Sequence, residues 1–179
     1  SGSMIRSFAS GTILTYTNRR GKSVVEALDS SENLEAWDGT LVAGGGIQVT
    51  FEAGNTSQIN ILGFRSTVTN TAGEEIRNRI VTTATPLVRE GYGSNRKLKS
   101  GAVKSYHNLA KTIATSTIES ELSFTAGCCF ATDGKLKTTF DGKDAYETLE
   151  FSSTCGEATR IKYDDAGLEV ENETIKLRR

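Results

Sequence analysis

One histidine and three cysteines bound the chemistry open to this chain. His107 set beside Cys128, Cys129 or Cys155 would form a thiolate–imidazole pair, in which a base activates a sulfur nucleophile. The ordinary alternative is a partly buried structural histidine at the edge of an apolar stripe. That reading carries more weight, so no catalytic residue is assigned. A lone histidine and the lack of any C-x-x-C spacing leave no zinc site, and no metal is expected. Glu119 and Glu121 stand two apart, on one face of a strand, where solvent accounts for them better than acid–base work. Gly91-Tyr92-Gly93 begins like a dinucleotide fingerprint, yet Arg96 stands where a glycine belongs and no βαβ unit surrounds it. Phosphate-loop, nucleophile-elbow and calcium-loop motifs are absent, so no cofactor is expected and the chain leans away from an enzyme.

The cysteines also make a poor disulfide framework. Cys128 and Cys129 are adjacent, so at most one of them bonds Cys155 and an odd thiol remains. Unbonded thiols are the simpler expectation. A bond from Cys155 to Cys128 or Cys129 is the alternative.

Electrostatics supplies the one feature above background. Between residues 89 and 111 stand six basic residues and one acidic, Glu90, while residues 112 to 179 hold eight basic and thirteen acidic. Gly91, Gly93, Ser94, Asn95, Ser100 and Gly101 make the basic segment read as a mobile loop leading into a helix. Arg89, Arg96, Lys97, Lys99 and Lys104 would then bind phosphate or another anion together with free backbone N–H groups, and Tyr92 would offer a stacking platform. The competing reading is a solvated loop that complements the acidic C-terminal half, and charge runs usually are that.

These residues have to be positioned by strands. Taking Asp164-Asp165-Ala166-Gly167 as a loop sets Tyr163 against Leu168 and Ile161 against Val170, with Lys162 facing Glu169 and Arg160 facing Glu171 on the other side. A second hairpin turns through residues 70 to 74 and sets Val68 against Ile76 and Phe64 against Ile80, with a bulge expected at Gly63. Asp133-Gly134 and Asp141-Gly142 delimit a strand from Lys135 to Phe140, whose neighbour runs from Ala145 to Phe151 with Leu149 and Phe151 buried. Thr12 to Thr17 and Lys22 to Leu28 flank a turn at residues 18 to 21, and Ile47, Val49 and Phe51 alternate with polar residues. Val103, Tyr106, Ala110 and Ile113 recur at three and four, which predicts one short helix over residues 102 to 114. The expected fold is all-β: a single antiparallel sandwich or barrel of about nine to eleven short strands with that helix. It would span residues 4 to 179, with residues 1 to 3 an expression-tag remnant.

Composition narrows the function classes. A net charge of −1 argues against a nucleic-acid coat, and no apolar run approaches the ~20 residues of a membrane-spanning helix. Two glycosylation sequons, at Asn55 and Asn172, are too common by chance to fix a compartment. The leading expectation is a non-catalytic module that binds a protein partner, a glycan or an anionic ligand through loops on a β scaffold. A structural subunit of a homo-oligomeric assembly is the second, since few aromatics and many polar strands suit a domain that completes its burial in neighbours. A cavity enzyme of the small β-barrel kind, or a β-pore former built on Ser/Thr-rich strands, is the third.

Overall fold

The computed structural model describes residues 2–6, 13–17, 23–27, 33–44, 47–69 and 72–177, with side chains from residue 33 onward except at position 69. Its strands, in chain order, are β1 (Gly2–Arg6), β2 (Ile13–Thr17), β3 (Ser23–Ala27), β4 (Leu34–Glu35), β5 (Leu41–Val42), β6 (Ile47–Phe51), β7 (Thr56–Ile61) and β8 (Phe64–Thr69). They continue with β9 (Glu75–Glu90), β10 (Lys97–His107), β11 (Thr112–Ser123), β12 (Asp133–Phe140), β13 (Tyr146–Phe151), β14 (Glu157–Tyr163) and β15 (Glu169–Lys176). Thirteen of them form one antiparallel sheet, and β4 with β5 forms a small second one. The protein is therefore all-β and sandwich-like. The expected strand at 135–140 and its neighbour fall where β12 and β13 run, although Leu149 and Phe151 are half-buried rather than buried. Gly2 and Ser3, read as tag residues, lie within β1. The turn expected at 18–21 lies outside the described residues, while β2 and β3 on either side of it pair as expected.

Length makes β9 the organising strand. One of its edges carries β10. The other is shared, with residues 75–81 pairing β8 and residues 87–90 pairing β7. The fork between them falls at Gly63, where a bulge was expected. A Cβ there would lie 2.3 Å from the Ala43 carbonyl oxygen, so only glycine lets the 33–44 segment cross so closely. Across the gap the Thr82 hydroxyl donates to the carbonyls of Ile61 and Leu62 at 2.9 and 3.0 Å, which replaces the missing ladder. From the fork one wing continues through β7, β6 and β1, the other through β8, β3 and β2.

The helix expected over residues 102–114 is instead the β10–β11 hairpin, with its turn at 108–111. The three-and-four spacing there was a coincidence of sequence. Tyr106 sits opposite Ile80 on β9 and Ile113 on β11, so strand pairing already gathers these side chains on one face. The β-branched run from Thr112 to Thr117 favours that outcome. The β4–β5 hairpin lays Leu34, Ala36 and Val42 over Ile80 and Tyr106, with Ile113 at the margin, and this is the main apolar cluster among the described residues. Each Leu, Val or Ile side chain fully removed from water stabilises by about 1.5–3 kcal/mol.

Two registers differ from expectation. Val68 pairs with Arg77 and Phe64 with Val81, leaving Ile76 42% exposed. At the C-terminal hairpin a bulge between Lys162 and Tyr163 sets Tyr163 opposite Glu169, Lys162 opposite Glu171 and Arg160 opposite Glu173. The Asp164 carboxylate accepts from the N–H groups of Ala166 and Leu168 at 3.0 and 2.8 Å, which draws Leu168 into the turn and out of the ladder. Opposite-charge pairing survives the shift, since Arg160 reaches both Glu171 and Glu173 and Lys162 reaches Glu171 at 2.7 Å.

Candidate functional site

Antiparallel order places one set of connections at the same end of the sheet: the β6–β7 turn at 52–55, the β9–β10 turn at 91–96, the β11–β12 loop at 124–132 and the β13–β14 turn at 152–156. The first two are sewn together. Thr56 pairs with Glu90, and the Gly91 N–H donates to the Asn55 carbonyl at 3.1 Å. Gly91 has φ +73°, and a Cβ on it would meet the Asn95 carbonyl oxygen at 2.7 Å, so the turn can close this tightly only around glycine. Between the two turns opens a groove of about 490 Å³ lined by Gly54, Asn55, Glu90, Gly91, Tyr92, Asn95 and Lys97.

The six residues proposed for the basic loop separate into groups. Tyr92 and Lys97 line the groove. Arg89 and Arg96 brace it: the Arg89 guanidinium lies 4.9 Å from the Tyr92 ring centroid, and that of Arg96 lies 4.3 Å from the Phe124 ring centroid. Arg96 also donates to the Gly93 carbonyl at 2.8 Å, clamping the turn from within. Lys99 stands behind the groove, bound to Glu121 and to Glu90 at 3.3 Å. Lys104 is elsewhere, 3.5 Å from Asp141 and 5.3 Å from the Tyr106 ring centroid. The expected mobile loop is thus a tight six-residue turn, and it leads into a strand rather than a helix N-terminus.

Charge pairing changes what this end can bind. Lys97 is 2.5 Å from Glu121, and Lys99 bridges Glu121 and Glu90. Hydrogen bonds from Lys97 and then Lys99 hold the Glu121 carboxyl below its ordinary range, while Glu121 and then Glu90 raise Lys99. Two lysines and two glutamates leave this cluster with no net charge. Glu119, expected to be merely solvated, lies 3.8 Å from Lys135.

The thiolate–imidazole pair has no geometric basis. His107 closes β10 at one end of the sheet, whereas the cysteine-bearing loop follows Ser123, which pairs with Lys97 at the other end, about 30 Å along the strand. Burial first, then Arg79 and Arg77, lowers the His107 pKa. Cys128 and Cys155 are joined by a disulfide that ties the 124–132 loop to the 152–156 turn, and Cys129 keeps an exposed free thiol. Among the described residues no three His, Cys, Asp or Glu side chains gather as a metal site would require, and no helix is long and apolar enough to cross a membrane.

Sequence reading missed Gly54, Asn55, Glu90 and Asn95 as groove residues. Gly54-Asn55 does carry a turn signal, but only the pairing of β7 with the far end of β9 brings it to Gly91. No protein-family model, curated protein or solved structure matches the chain.

Proposed function

We propose that the protein is a non-catalytic binding module whose loops at one end of the sheet hold a ligand, with the groove between the 52–55 and 91–96 turns as its site. The observation that carries this reading is a half-exposed tyrosine ring fixed in place beside two amide side chains. Tyr92 keeps 49% of its surface exposed while Arg89 stacks on it, and Asn55 and Asn95 share its groove. A rigid β scaffold with a turn clamped by Arg96 and by the Gly91–Asn55 bond limits the ordering that binding would require. Loops on such scaffolds are where binding residues concentrate.

The test is a titration of ¹⁵N-labelled protein with neutral oligosaccharides, a heparin hexasaccharide and a pool of random heptapeptides. One of these chemistries is expected to shift the amide signals of residues 54, 55 and 90–97, and Tyr92→Ala is expected to weaken that binding at least tenfold. Silence of those signals toward all three would refute the reading.

A structural subunit is the second reading. In β12 to β15 only Thr148 and Ala158 are buried, and among the described strands β15 has a neighbour on one side only. A sheet left this open gains burial from a neighbouring copy.

A further inference from the structure

The chemistry lining the groove selects among ligand classes, an inference that rests on the binding reading above. We infer that the groove takes a neutral glycan, with one pyranose ring lying against the face of Tyr92 opposite Arg89.

Free cations for an anionic ligand are scarce here. Lys97 and Lys99 are held by Glu121 and Glu90, while Arg96 and Arg89 keep their charge but are turned to Phe124, the Gly93 carbonyl and Tyr92 and do not line the groove. An anion entering the groove would meet the Glu90 carboxylate beside the Lys97 ammonium, so the lining itself offers it no net positive charge. A peptide held by apolar anchor side chains fares no better, because such anchors need desolvated apolar pockets. The only apolar side chain of any size in this lining is the Tyr92 ring.

A sugar matches what remains. Its C–H face carries a partial positive charge toward an aromatic face, whose quadrupole is negative. Arg89 occupies one side of Tyr92 at 4.9 Å and so presents the other. Around that ring stand groups that meet hydroxyls both ways. The amides of Asn55 and Asn95 each donate and accept, the Glu90 carboxylate accepts, and the Lys97 ammonium donates beyond its bond to Glu121. The volume of about 490 Å³ lies within the range of small-ligand sites.

The experiment is an array of neutral and acidic glycans, followed by NMR and calorimetric titration of the strongest ligand at 50 and 500 mM NaCl. A neutral glycan is expected to bind, shift residues 54, 55 and 90–97, and keep its affinity within twofold between the two salts. Tyr92→Ala should weaken it at least tenfold and Asn95→Ala at least fivefold, while Tyr92→Trp stays within threefold. Unchanged amide spectra of the free variants guard against misfolding. Binding restricted to acidic glycans and lost at 500 mM NaCl, or a peptide seated in the groove, overturns the neutral-glycan inference and leaves the binding module standing. A neutral glycan that shifts other residues, or no glycan bound at all, also overturns it. Silence of the groove toward every ligand class overturns both.

Discussion

Breaking the Cys128–Cys155 bond should destabilise the protein by about 3.6 kcal/mol. The cysteines are 27 residues apart. A cross-link closing a loop of that size removes about 12 cal/mol/K from the unfolded chain, which is about 3.6 kcal/mol at 25 °C. At about 2–4 °C per kcal/mol for a chain of this length, the melting temperature should fall by about 7–14 °C. The perturbation is the Cys128→Ala/Cys155→Ala double variant, read by urea unfolding with far-ultraviolet circular dichroism. Cys129→Ser is the control, since its thiol is exposed and free, and it should change stability by no more than about 0.5 kcal/mol. Thiol titration of the native protein should count one reactive group. Three thiols, or a loss below about 1 kcal/mol in the double variant, would refute the reasoning. Because the same loop begins at Phe124, on which Arg96 stacks, amide signals of the 91–96 turn should also broaden in the double variant.

Two further outcomes are expected. The His107 pKa is lowered in the fold, by burial first and then by Arg79 and Arg77, so between its folded and unfolded values the unfolded chain binds more protons and stability rises with pH. The unfolding free energy read from urea curves should therefore fall as pH drops below about 6.5, by at most about 1.4 kcal/mol per pH unit for one proton, and His107→Gln should flatten that stretch; an unchanged profile would refute it. For the subunit reading, light scattering at 10 to 500 μM protein and two salt concentrations should show growth beyond one chain, and a monomer at every concentration would remove it.

Local pattern was legible in the sequence and long-range pairing was not. Period-two alternation and Asp-Gly turns sufficed to place β12 and β13, because both signals act within a few residues. The fork at Gly63 was visible as a change of phase. Its cause was not, since the crossing of Ala43 depends on a hairpin whose own strands are two residues long. Hairpin registers slipped by one or two positions, and at the last hairpin the Asp164 side chain, competing with apolar pairing, is the cause. The groove was half legible: Tyr92 and Lys97 stood out through composition, while Asn55 joins them only through a ladder between β7 and the far end of β9.

The misread helix and the overestimated basic patch share one origin. Read as a flexible loop, residues 96 to 101 leave their cations free to meet an anion. Drawn out as a strand, Lys97 and Lys99 stand two apart and so share a face, and Leu98 sits directly opposite Leu122, which sets Glu121 within reach of both lysines. Lys97 also pairs with Glu90 in the ladder, and Lys99 reaches that carboxylate from two residues along. The charges of Lys97 and Lys99 are therefore met within the sheet by a pairing that only the strand conformation permits. On the binding reading proposed above, the groove lining would offer a ligand shape, one aromatic face and hydrogen bonds, and affinity built from those terms would be insensitive to salt.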